Sequence, residues 1–301
     1  MYLFETEKDN MSLAVLDWLL EDSDPAVRYR TLIELLNTQI IDDVNDAKKA
    51  LILSENVKSA LKLFEVGKAY ADAHAFSALA EYGLTRRDLD IDEHVEKYIA
   101  QYGFADGCGE GFLLRNLVML GYTDHPKVKK ELAAVLATQQ SDGGYPCISK
   151  NPKIKKPNVP HKSCFQMSTS YLLLIAELHK QGIVCSQSSN LIEYFLGRDV
   201  LFRHDNPDQV VKAEMGTTFH PPVATRIGIH QILYALAALD KASDPRCNRA
   251  WSLLEARCAD DGKYVIDGSL TKPYIKTEKP GKSNKWVTFY SLLAKKYKCS
   301  L

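Results

Sequence analysis

Five residues in the middle of the chain have the chemistry of metal ligands. They are Asp106, Cys108, Cys147, His161 and Cys164. Thiolates and imidazoles are the donors zinc prefers, and three protein ligands leave an open position for water or a substrate thiol. The spacings are long, so only the fold can bring these residues together. Two lysine-rich stretches form a second group: Lys150, Lys153, Lys155, Lys156 and Lys162, and later Lys272, Lys276, Lys279, Lys282 and Lys285. Lysines beside helix N-termini suit phosphate or diphosphate, and solvated loop lysines read the same way. A third group is polar residues inside apolar runs. Arg115 interrupts the segment 111–120, and Arg226 and His230 stand four apart, on one helix face. A cavity would explain all three, with His230 as acid or base. Pairing with a carboxylate such as Glu214 or Glu177 explains them equally.

Helical periodicity dominates the elements that must carry these residues. The segments 127–140 and 246–258 have one apolar stripe each, as helices with an outer face do. The segments 165–178 and 223–239 are apolar nearly all round, which requires protein on every side. Inner helices are expected near Tyr70–Tyr82, Gly109–Leu120, Cys164–Lys180, Pro222–Leu239 and Lys285–Tyr297, alternating with outer ones. Asp24-Pro25, Asp124-His125-Pro126 and Asp244-Pro245 read as capped starts of outer helices. Glycine-rich loops around Asp106-Gly107, Asp142-Gly143-Gly144-Tyr145 and Asp261-Gly262-Lys263-Tyr264 each precede an inner helix, so the alternation is a repeat. Such hairpins either stack as an open solenoid or close into a ring. The reading is one all-α domain over residues 1–301, with helical hairpins in 1–65 completing it.

Composition narrows the function classes. Among 301 residues, Lys plus Arg and Asp plus Glu are 38 each, so no global positive field for nucleic acid exists. No apolar run is long enough to cross a bilayer. Residues Met1 to Asn10 lack the apolar centre of a secretory signal, and the seven cysteines follow no disulfide framework. A reduced, cytoplasmic setting is expected.

Gln139-Gln140-Ser141-Asp142-Gly143-Gly144-Tyr145 resembles the repeat of squalene cyclases and protein prenyltransferase β chains, and the stretch from Lys279 to Trp286 is similar to a β-chain segment. The resemblance covers about Leu16 to Leu293 and is to bacterial squalene-cyclase-like proteins. It implies an α/α toroid of about six hairpins, a central apolar cavity, and inner-helix N-termini gathered at one mouth. Cys108, Cys147 and Cys164 would then share a pocket there, possible Zn²⁺ ligands with Asp106 and His161. Tyr145, Lys156, Lys282 and Trp286 would bind substrate, and Arg115, Arg226 and His230 would serve catalysis. The ligand implied is a hydrophobic small molecule or prenyl diphosphate. Departures are specific. The D-x-D-D acid has isoleucine in the fourth place at Asp88-Leu89-Asp90-Ile91, and the histidine expected after Asp106-x-Cys108 falls at Ser168 or Thr288. Asp42-Asp43-Val44-Asn45-Asp46 spells a magnesium string but reads as a charged helix start. Three functions therefore stand: a toroid holding an isoprenoid-like molecule, a binding or scaffold protein that kept the fold without the chemistry, and a polysaccharide lyase or hydrolase. The oligomeric state is not readable.

Overall fold

The computed structural model describes residues 13–104, 108–147, 163–211, 227–268 and 278–299, with only the backbone of residue 108. Helix is the regular structure throughout, as expected, and among the described residues extended backbone is confined to isolated bridges such as Phe202 with Val210. The α-helices are α1 (Leu13–Leu19), α2 (Pro25–Arg30), α3 (Ile41–Ile52), α4 (Glu55–Lys62), α5 (Ala69–Glu81), α6 (Asp92–Tyr102) and α7 (Cys108–Met119). They continue as α8 (Pro126–Leu136), α9 (Phe165–Lys180), α10 (Ser188–Leu196), α11 (Ile229–Ala238), α12 (Asn248–Glu255) and α13 (Lys285–Cys299). A wider-turned segment, Thr31–Leu35, prolongs α2 and closes with an i→i+5 bond from Leu36 N to Thr31 O at 2.9 Å.

Capping explains several starts. Asp24 accepts from Val27 N ahead of Pro25, and Asp244 accepts from Arg246 N ahead of Pro245, but α2 is an inner segment against α13, not the outer helix expected there. At the third expected cap the structure differs. His125, not Asp124, precedes Pro126 at the cap position, with no side-chain bond. Proline alone sets that start by fixing the backbone angle of the first turn.

The inner and outer layers follow the hydrophobic pattern. All ten residues of α11 and every residue of α9 from Phe165 to Leu178 except Gln166 are buried, so Leu173 and Ile232 are interior as expected. Helices α8 and α12 bury one stripe each, namely Val128, Leu132 and Val135, and Ala250, Trp251 and Leu254. Among the inner helices, α5 packs on α7, α7 on α9, α9 on α11 and α11 on α13, and α13 then meets α2 and its extension. Each outer helix α6, α8, α10 and α12 packs on the inner helix before it in the chain.

Neighbouring inner helices run parallel. Contacts between α7 and α9 keep a nearly constant sequence separation. It is 61 for Glu110 with Tyr171, 62 for Arg115 with Glu177 and 63 for Val118 with Gln181. Antiparallel helices would instead conserve the sum of the residue numbers. The approach is close because Gly111 lies there: a Cβ on it would stand 2.3 Å from Ser170 Oγ. The same test makes α13 parallel to the α2 segment, with separations of 264 at Lys285–Glu21, 260 at Tyr290–Arg30 and 262 at Lys296–Glu34. The starts of these helices therefore lie toward one end.

The glycine loops are a true structural repeat. Gly144 N donates to Asp142 Oδ1 at 3.0 Å, and Lys263 N donates to Asp261 Oδ1 at 3.1 Å. Tyr145 N donates to Ser168 Oγ, and Tyr264 N to Thr288 Oγ1, both at 2.9 Å. Cys164 N and Asn284 N return to the carbonyls of Tyr145 and Tyr264 at 2.7 and 3.0 Å. Each loop is thus stitched to the first turn of the inner helix that follows it.

Candidate functional site

The interior contains a closed circuit of charge. Lys180 Nζ lies 3.2 Å from Glu34 Oε2, Glu34 Oε1 accepts from Arg30 Nε at 2.5 Å, and Arg30 Nη1 is 3.5 Å from Glu81 Oε2. Glu81 Oε1 then accepts from Arg115 Nη1 at 2.5 Å, Arg115 Nη2 is 3.5 Å from Glu177 Oε1, and Glu177 Oε2 returns to Lys180 at 3.2 Å. Cations and carboxylates alternate all the way round. Two phenols brace the circuit. Tyr290 Oη accepts from Arg30 at 2.9 Å and Arg115 at 3.4 Å and donates to Glu81 at 2.5 Å. Tyr234 Oη accepts from Lys180 at 2.9 Å and donates to Glu177 at 3.1 Å. The members come from α2 and its extension, α5, α7, α9, α11 and α13, so every inner helix contributes.

Burial makes the pairing obligatory, since an isolated ion in a low-dielectric interior is untenable. Burial alone would raise the Glu34 carboxyl. Arg30 and Lys180 more than reverse that and hold it at about 2. Glu177 is likewise held below the usual range: desolvation pushes it up, and Lys180 and Arg115 pull it down further. Burial disfavours the Lys180 ammonium, but Glu177, Tyr234 and Glu34 keep it protonated well above its ordinary range. The Tyr234 and Tyr290 phenols are pushed up, first by desolvation, and stay protonated donors. Every ion of this belt has an opposite charge beside it, although Arg30 Nη2 and Arg115 Nε stay without a hydrogen-bond partner.

Toward the helix starts lies a different pair. Tyr171 Oη donates to Glu110 Oε2 at 3.3 Å, joining the first turn of α7 to the second of α9. Desolvation, then Glu110, pushes the Tyr171 phenol up, so it is a protonated acid beside a carboxylate. Tyr145 packs on Tyr171 with ring centroids 4.4 Å apart. Gln166 is in the first turn of α9, and His74, whose imidazolium burial disfavours, stands in α5.

The positions anticipated from sequence distribute unevenly over this geometry. Arg115 belongs to the belt, paired with Glu81 and Glu177, rather than standing alone in a cavity. His230 is fully buried in α11 with its ring edge-on to Tyr290, centroids 6.4 Å apart. Trp286 packs between Tyr82 and Phe289 in the core, and Tyr145 is fully buried. Lys282 is exposed in the turn before α13. Arg226, Lys156, Asp106, His161 and the Cys108 side chain lie outside the described residues. Cys147 and Cys164 are half-buried and in no disulfide. Among the described residues no three His, Cys, Asp or Glu side chains are placed to share a metal ion. Ser168 and Thr288, where the resemblance asks for a histidine, hold loop backbone instead.

Sequence reasoning missed most of the belt. Arg30, Glu34, Glu81 and Lys180 were not singled out. Glu81 carried a usable signal, a carboxylate closing the alanine-rich run 69–80.

No family model matches the chain, and no curated protein matches it. One solved structure, a polysaccharide lyase, is similar at 13% identity, over 93% of this chain and 95% of its own, with a TM-score of 0.48. The expectation of an isoprenoid or prenyl diphosphate ligand is corrected here. The physical reason lies in the belt: a ring of ions and phenols occupies interior space that a hydrocarbon ligand would need to be apolar. No described helix is long and apolar enough to cross a membrane.

Proposed function

We propose that the protein acts on a polar, polyhydroxylated ligand, a carbohydrate chain, at the end where its inner helices begin. The observation that carries this reading is the Tyr171–Glu110 hydrogen bond between adjacent inner helices, above a belt that fills the other half of the interior. A protonated phenol and a carboxylate in contact are an acid and a base in one place, the pair that proton transfer at a sugar oxygen or ring carbon requires. Carboxylate, phenol and amide groups also match the hydroxyls of a sugar as hydrogen-bond partners, which an aliphatic lining cannot do. The belt arginines take no direct part, because both are spent on buried carboxylates.

The test is a panel of neutral and uronate-containing polysaccharides, read by thermal shift and by chain shortening. One class is expected to raise the melting temperature. Glu110→Gln and Tyr171→Phe are expected to lower turnover on it by about 10²-fold or more, the usual worth of a positioned acid or base, with melting temperature kept within a few degrees. If no polysaccharide binds or is shortened, or both variants behave as wild type toward the one that does, the reading falls.

A further inference from the structure

We infer that the first inner segment, Pro25 to Leu35, is a hinged stave that swings away from the other inner helices with its belt charges already paired. Four observations meet on it. Its second half is wound with a wider i→i+5 turn, and Asn37 just beyond has a left-handed φ of 46°. Wide turns inside helices and left-handed residues are where a helical rod yields. Its junction with α5 consists of side chains, with Arg30 reaching the carbonyl and carboxylate of Glu81 and Arg30 and Tyr29 lying against Gly83, rather than of helix packed along helix. Two of its buried polar groups, Arg30 Nη2 and Thr31 Oγ1, have no hydrogen-bond partner, so the closed position is imperfectly satisfied. Its buried apolar residues are few, Ala26, Val27, Tyr29, Leu32 and Leu35, whereas α11 buries its whole length.

The charge arithmetic makes the motion feasible. The stave carries two belt ions, Arg30 and Glu34, already paired at 2.5 Å, and its third charge, Arg28, pairs at the surface with Asp22. What stays behind is Glu81, Arg115, Glu177 and Lys180, two of each sign and still linked to one another. Opening therefore strands no unpaired ion on either side, which is the usual reason that breaking a buried network is prohibitive. The open form gives sideways access to the interior between α5 and α13. This device stands independently of the carbohydrate reading.

Hydrogen exchange with mass spectrometry on the intact chain tests it. Amides of residues 26–36 are expected to exchange at least about tenfold faster than those of 229–238 under native conditions, as a sub-global opening does. Removing both belt charges of the stave, Arg30→Met with Glu34→Leu, is expected to narrow that gap, because its inner face then gains nothing from water. Equal protection of the two stretches in the wild-type chain would overturn the proposal. So would a double variant that folds and leaves the gap unchanged.

Discussion

At the scale of single residues, the belt shows why a charge inside a helical protein has to be interpreted through its partners. Arg115 is buried with Glu81 and Glu177, and removing one partner leaves an uncompensated ion in the interior. Breaking such a pair costs about 3–5 kcal/mol, while replacing both ends by apolar groups is often neutral. Arg115→Met is therefore expected to lower the melting temperature sharply. Arg115→Met combined with Glu81→Leu should recover much of the loss, and equal melting temperatures for the single and double variants would contradict this. The belt also sets an acid limit. Glu34 is held at about 2, below its ordinary 4.5. A depressed carboxyl contributes stability that is fully present above its unfolded value and is lost as pH falls through its folded value. The contribution should fade between about 4.5 and about 2. Urea denaturation at stepped pH is expected to show Glu34→Gln losing the wild-type acid dependence in that window while being less stable at pH 7.

At the scale of elements, two glycines with the same backbone sign differ in what surrounds them. Gly143 has φ 84°, and a Cβ there would stand 2.2 Å from the Asn190 carbonyl oxygen, which belongs to backbone. Gly67 has φ 65° with nothing within 4 Å. Gly67→Ala should cost only the left-handed penalty, about 1 kcal/mol. Gly143→Ala should cost more, because the loop must move as well, by about 1–3 kcal/mol of overpacking. Chemical denaturation of the two variants side by side measures the difference, and equal losses would mean the loop has slack. The stitches at Ser168 and Thr288 belong to the same scale. Each accepts from a buried tyrosine N–H, so Ser168→Ala and Thr288→Ala should each cost about 1–3 kcal/mol by leaving that donor unsatisfied.

At the scale of the whole molecule, the parallel inner helices are tied by two kinds of force. Apolar burial packs each on the next, and one ionic circuit runs through all of them. The first and last parts of the chain meet in that arrangement, with Lys285 of α13 reaching Glu21 and Ser23. Folding of this order depends on contacts of very high sequence separation, so it is expected to be slow for an all-helical protein. Stopped-flow refolding of Lys285→Met is expected to show mainly faster unfolding, with folding little changed, if this closure forms after the transition state.

The amino-acid sequence alone determined the layers. All-round apolarity put the segments 165–178 and 223–239 inside, because a helix with no polar face has nowhere else to go, and aspartate-glycine loops before three of the inner helices marked the units. It also flagged Arg115 as an anomaly within an apolar run. It offered Glu177 as one possible partner, which the structure pairs with Arg115, but not Glu81 or Tyr290. Glu81, Glu177 and Tyr290 are 34, 62 and 175 positions away along the chain, and only the stacking of inner helices brings them within hydrogen-bond reach. The isoprenoid expectation erred for the same reason. Local pattern reports that a helix is buried, but the polarity of the space it borders is set jointly by side chains from helices remote in sequence. Tertiary structure alone fills that space with ions and phenols, and so decides against a hydrocarbon ligand.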